Sequence, residues 1–122
     1  MRYLLLLHVD EAGFGRLTPS EQAQGLAAYQ AFGEALTRSG ALVSSGRLAP
    51  SAGAKTVTTK VGRPVVMDGP FAETKEQVGG YFLIEAPDLA AALEWAGRCP
   101  AAGHGAVEVR PLVAAPAEAA SA

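Results

Sequence analysis

Apolar residues run unbroken from Tyr3 to Leu7, inside a segment, 2–9, that Asp10 and Glu11 close. A continuous run of that length predicts a central strand covered on both faces. The period then changes to three and four. Leu26, Tyr29, Phe32, Gly33 and Leu36 share one helical stripe. Thr18 is a suitable N-cap, Pro19 takes the first helical position, and Glu21 completes a capping box. Gly40 supplies the residue beyond the end, so the helix should reach about Ser39. Residues 41–49 read as a second strand. Threonine and valine alternate over 54–62 and predict a third, with 63–68 returning across a turn at Gly62. After a charged loop, 79–86 reads as a buried strand. A helix follows from an N-cap at Asp88, with Pro100 beyond its end. Its inner stripe is expected to be Leu89, Ala92, Leu93, Ala96 and Cys99, with Trp95 off it. In a last strand, 106–112, Val107 and Val109 alternate with Glu108 and Arg110.

This order is an α+β plan, the ferredoxin-like βαββαβ subunit with an extra β-hairpin in the middle. Two helices cover one sheet face and leave the other bare. Tyr3, Leu5, Tyr81, Leu83 and their alternates are too apolar to stay wet, so a homodimer with facing sheets is expected. The domain should span 1–113. The alanine-rich tail, 114–122, lacks large apolar residues and is expected to be disordered.

Composition narrows the functional classes. A chain of 122 residues suits one domain, and a net charge of −2 gives no general basic surface for nucleic acid. Cys99 is the single cysteine, which excludes an internal disulfide and a cysteine-built metal site and fits a reducing cytoplasm. The first apolar run is too short for a signal peptide, and no stretch of about 18 apolar residues exists to span a membrane. The glycines of 13–18 do not follow the dinucleotide-binding pattern, and the two histidines lack metal-ligand spacing. No cofactor or metal is expected.

The candidate chemistry gathers around "MDGPFAETKEQVGGYFLIE", residues 67–85. Gly69 permits positive φ, Pro70 fixes φ, and Asp68 can bond the backbone ahead of it. Such a turn either plugs Phe71 into the core or aims Asp68 at a pocket. Glu73, Lys75 and Glu76 are either solvated charges or a stiff recognition loop, and Lys75 suits an anionic substrate. Gly79 and Gly80 allow close backbone approach. His8 ends the first strand, with Asp10 on the same face. His104, between two glycines, begins the neighbouring strand and is expected to approach His8, giving residue types for acid–base work. Arg47 and Arg110 are anion partners, although Arg110 has an ion pair with Glu108 or Glu85 as its simpler role. Cys99 reads as a small core residue.

The segment "DGPFAETKEQVGGYFLIE", with "MRYLLLLHVDE" and "PAAGHGAVEVRPL" at the two ends, resembles the DGPF-motif proteins of the YCII-related (YciI-like) family. The resemblance covers residues 1 to about 113 and implies a dimeric α+β barrel of ferredoxin-like subunits. It further implies a small-molecule lyase or isomerase of muconolactone-isomerase type, with a His–Asp pair proposed at its centre. The family's helix histidine falls here on Tyr29, counted back seventeen residues from Gly46, so that pair is not carried over intact. The expected catalytic set is His8, Asp68 and His104, with Tyr29, Arg47, Phe71, Glu73 and Lys75 binding substrate. The alternative implied is a non-catalytic ligand-binding or regulatory partner of an extracytoplasmic-function sigma-factor system.

Overall fold

The computed structural model describes residues 1–114, so most of the expected tail lies outside the described residues. The chain runs through β1 (Arg2–Val9), α1 (Glu11–Gly15), α2 (Pro19–Arg38), β2 (Leu42–Arg47) and a 3-10 turn (Ser51–Gly53). It continues through β3 (Lys55–Lys60), β4 (Arg63–Asp68), β5 (Gln77–Glu85), α3 (Leu89–Arg98), α4 (Ala101–His104) and β6 (Ala106–Pro111). Four strands form one antiparallel sheet in the order β2-β5-β1-β6, while β3 and β4 form a separate two-stranded sheet. Leaving out that hairpin, the order is that of a βαββαβ subunit.

Local chemistry sets the helix boundaries. The Thr18 hydroxyl accepts from the Glu21 amide at 3.1 Å, and the Glu21 carboxylate accepts from the Thr18 amide at 2.9 Å. Those two bonds satisfy donors that the first turn would leave open. At the other end Gly40 takes φ +77°, its amide reaches Thr37 O, and the Ala41 amide reaches Leu36 O. This is a Schellman stop, and it turns the chain directly into β2.

Sheet alternation divides β1. Tyr3, Leu5 and Leu7 are buried beneath the helices, whereas Leu4, Leu6 and His8 are half-exposed on the opposite face. β5 divides in the same way, with Phe82 and Ile84 buried and Tyr81 and Leu83 half-exposed. Leu5, Leu36 and Ile84 are the largest side chains removed completely from solvent. Each contributes about 1.5–3 kcal/mol by that burial. Phe32 stands edge-on to Phe82, with centroids 5.0 Å apart, and joins helix to sheet.

The predicted inner stripe of the second long helix needs correction. Ala92, Ala96 and Cys99 are buried, but Leu89 and Leu93 are exposed, and Trp95 packs edge-on to Phe32 at 6.2 Å. The helix is rotated so that its small residues meet the sheet. Pro100 does not simply follow this helix. It caps the short α4, and Ala101 is fully buried. The short helix α1 was not predicted. Among the described residues no helix is long and apolar enough to cross a membrane.

Candidate functional site

β1 and β6 are antiparallel neighbours in which His8 lies opposite Ala106 and Leu6 opposite Glu108. His8 and Glu108 are therefore diagonal on one face, within reach of long side chains. His8 Nε2 lies 2.9 Å from Glu108 Oε1, and Arg110 Nη1 donates to Glu108 Oε2 at 3.2 Å. The bond from His8, then that from Arg110, holds the Glu108 carboxyl below the ordinary glutamate range. An ionised carboxylate can only accept, so Nε2 carries a proton, and in the neutral imidazole Nδ1 is then the nitrogen with the lone pair. The arrangement is an oriented imidazole of the kind used for proton transfer.

This pair opens into a cleft of about 880 Å³. Leu48, Pro70, Phe71, Val78 and Val107 give it apolar walls, and Lys75 and Glu76 bring charge to it. Two loops form the walls, and a chain of hydrogen bonds ties them together. The Glu11 carboxylate accepts from the Ser51 amide at 2.9 Å and from the Ser51 hydroxyl at 2.8 Å. Gln77 accepts from the Glu11 amide at 3.2 Å and donates to Thr74 O at 2.7 Å. The charged loop is thus anchored through α1 to the segment that follows β2.

The glycine pair has a structural cause. The register of β1 against β5 slips between Leu7, opposite Gly80, and His8, opposite Val78. A Cβ on Gly79 would stand 2.5 Å from Val9 Cγ2, and one on Gly80 2.8 Å from Gly46 O. The bulge leaves Gly79 without room for a side chain beside β1, the β2 backbone leaves none at Gly80, and the slip redirects the start of β5 into the cleft.

Of the remaining predicted site residues, Phe71 lines the cleft and several others lie elsewhere. Asp68 is exposed at the end of β4 and forms an ion pair with Lys55, so its carboxylate does not face His8. Gly69, at φ +92°, hydrogen-bonds Ala54 O and turns the chain into the cleft wall. Phe71 is 89% exposed; it lines the cleft and does not plug the core. Glu73 is exposed beside the lining residues. Arg47 lies over the Phe14 ring at 5.7 Å, and Asp10 pairs with Arg16 at 3.6 Å. His104 does not join His8. It ends α4 and meets the Tyr29 ring edge-on, and Tyr29 packs against the core on the helix side. The backbone between them is what approaches: a Cβ on Gly105 would stand 2.0 Å from His8 O. Burial pushes the Cys99 thiol up, consistent with a core role. Among the described residues no group of three His, Cys, Asp or Glu side chains is placed to hold a metal ion.

Glu108 was not among the predicted site residues. Period two put it on the outward face of the last strand, but assigning it to His8 needs the β1–β6 register. Glu11, Ser51 and Gln77 carried no sequence signal beyond hydrogen-bonding capacity.

The model of the YCII-related domain matches residues 1–115. An uncharacterized protein of Rhizobium meliloti (strain 1021) is 36% identical over 114 residues, 92% of this chain and 92% of that one. Among solved structures, 5-chloro-2-hydroxyhydroquinone dehydrochlorinase (TftG) from Burkholderia phenoliruptrix AC1100, in complex with 2,5-dihydroxybenzoquinone, is similar in fold. Its TM-score is 0.54 at 16% identity, over 94% of this chain and 96% of that one.

Proposed function

The chain belongs to the YCII-related domain family, and from that premise we propose that it is a small-molecule lyase or isomerase of the DGPF-motif kind, with His8 as its base. The observation that carries this reading is the 2.9 Å contact between His8 Nε2 and Glu108 Oε1 at the wall of the cleft. His8 Nδ1 takes a proton from an acidic C–H of the substrate, and Glu108 stabilises the imidazolium that forms. The electron pair left behind forms a carbon–carbon double bond. In an isomerisation a double bond already next to that carbon breaks as the new one forms, and its electron pair takes the proton back from the imidazolium at the far carbon. In an elimination a leaving group on the adjacent carbon departs with its bonding pair. Lys75 attracts an anionic substrate, and Pro70 and Phe71 supply an apolar wall. The structural relative is named for a dehydrochlorination, an elimination, and at its low identity it lends the fold and not the residue roles.

The same reading has two copies of the chain meeting through the open sheet face. Leu4, Leu6, Tyr81 and Leu83 support it, since they form a half-exposed apolar patch beside His8.

A thermal-shift screen of the purified protein against small organic acids and lactones tests the function, because a compound that binds the native state raises its melting temperature. The expected hit is turned over by the wild type and still bound, without turnover, by His8→Gln. A compound turned over equally by both proteins would overturn the assignment, as would a screen in which no compound binds.

A further inference from the structure

The β3–β4 hairpin stands apart from the main sheet, and among the described residues no other strand or helix packs extensively on it. Two-stranded hairpins are marginal in water on their own. Register puts Val57 opposite Val66, and these side chains are 61% and 63% exposed. At the tip, Val61 is fully exposed and takes φ +50°. Left-handed backbone is unfavourable for a β-branched residue, and a polar or glycine tip would relieve the strain. Lys60 and Arg63 flank Val61 as a cross-strand pair, and neither makes an ion pair among the described residues. The hairpin therefore presents an apolar, cationic end that no ion-pair partner among the described residues receives.

The cleft presents the opposite chemistry. Glu76 lines it and Glu73 adjoins it, both without an ion-pair partner among the described residues, and Lys75 stands between them. Pro70, Phe71 and Leu48 give it apolar walls. Within one chain the two cannot meet. The cleft lies at the hairpin's base, and five residue steps from Asp68 to Arg63 put the tip roughly 17 Å away. Two-fold pairing of identical chains would supply both contacts at once.

We propose that the β3–β4 hairpin is an arm that reaches a second copy of this chain and closes that copy's cleft, with Val61 on the apolar wall and Lys60 and Arg63 on Glu73 and Glu76. This rests on the pairing of copies in the preceding subsection. Each site is then completed by its neighbour, which adds a cation near the His8–Glu108 pair and shields the substrate from water.

Sedimentation velocity at micromolar concentration and low salt tests the arm. The wild type sediments as a dimer. Lys60→Glu with Arg63→Glu, on an exposed turn, raises the dimer dissociation constant at least about tenfold. Adding Glu73→Lys and Glu76→Lys to the same chain swaps the charges and restores the dimer. Val61→Cys with Ala72→Cys forms an intersubunit disulfide under oxidation, and the buried Cys99 does not compete. A tip variant that dimerises like the wild type, a swapped chain that does not recover, or a missing crosslink each overturns the proposal. A monomeric wild type overturns it together with the sheet pairing. If turnover instead survives His8→Gln while the tip effect persists, the arm stands and the assigned base falls.

Discussion

Tyr29 meets the edge of the His104 ring at a centroid distance of 6.3 Å, while its own hydroxyl is buried without a hydrogen-bond partner among the described residues. Burial, with a smaller contribution from neighbouring Cys99, pushes this phenol up to about 12. An unfolded tyrosine ionises near about 10. Between these values the unfolded chain holds fewer protons than the folded one, so stability falls as pH rises through the window. Tyr29→Phe should remove that part of the fall. At pH 7 it should leave stability unchanged or raise it by up to about 1 kcal/mol, since no bond is lost. Denaturant unfolding of both proteins from pH 7 to 11 checks this; a Phe variant less stable at pH 7 would refute it.

His8→Gln should lower turnover of a compound found by the thermal-shift screen by about 10²–10⁴-fold, the usual worth of a general base. Glu108→Gln should lower kcat at least about tenfold by releasing the imidazole's orientation. Glu108 also has a pH signature. Its carboxyl is held low by His8 and then Arg110, so its contribution to stability is complete above the ordinary glutamate range. That contribution is lost as pH falls through the lowered value. The acid limb of a stability–pH curve should therefore flatten in Glu108→Gln.

Two glycines should respond in opposite directions. A Cβ on Gly25, inside α2, meets nothing within 4 Å. Gly25→Ala should stabilise by about 0.5–1 kcal/mol through helix propensity. A Cβ on Gly105 would lie 2.0 Å from the His8 carbonyl oxygen. Gly105→Ala should destabilise by about 3 kcal/mol or more and move the end of β1. Urea unfolding of both variants separates these outcomes, and equal effects would contradict the described backbone.

Glu11→Ala removes both bonds to Ser51. It should cost about 1–2 kcal/mol, given that the acceptor is charged but only part-buried. Hydrogen exchange should quicken at the Ser51 amide and leave the centre of β5 unchanged. Unchanged protection at Ser51 would show that the two loops are held by something else.

The strands and caps were readable because their signals are local. The Tyr3–Leu7 run, the Thr18–Glu21 box and Gly40 each specify a backbone state within a few residues. The face of α3 was not readable by hydrophobicity. Leu89 and Leu93 outrank Ala92 and Ala96 on any apolar scale, yet the close fit against the sheet takes the small residues. Nor was the destination of Asp68 readable. Gly69 takes the positive φ expected of the turn, but Lys55 lies opposite Asp68 across the hairpin, and that register makes an ion pair where a backbone bond or a cleft wall was expected. His104 was assigned to His8 from strand adjacency. Adjacency placed the backbones together, but the α4 turn sends the side chain to Tyr29.

His8 and Glu108 are 100 positions apart in sequence and side by side in the sheet. A chain still being synthesised, with β1 through β5 already emerged from the ribosome, holds a lone imidazole beside a vacant sheet edge. Closing so long a loop carries more chain entropy than closing a short one, and non-local pairing of this kind slows folding. Proteolytic clipping that removes β6 would abolish the pair while leaving the first hundred residues chemically intact.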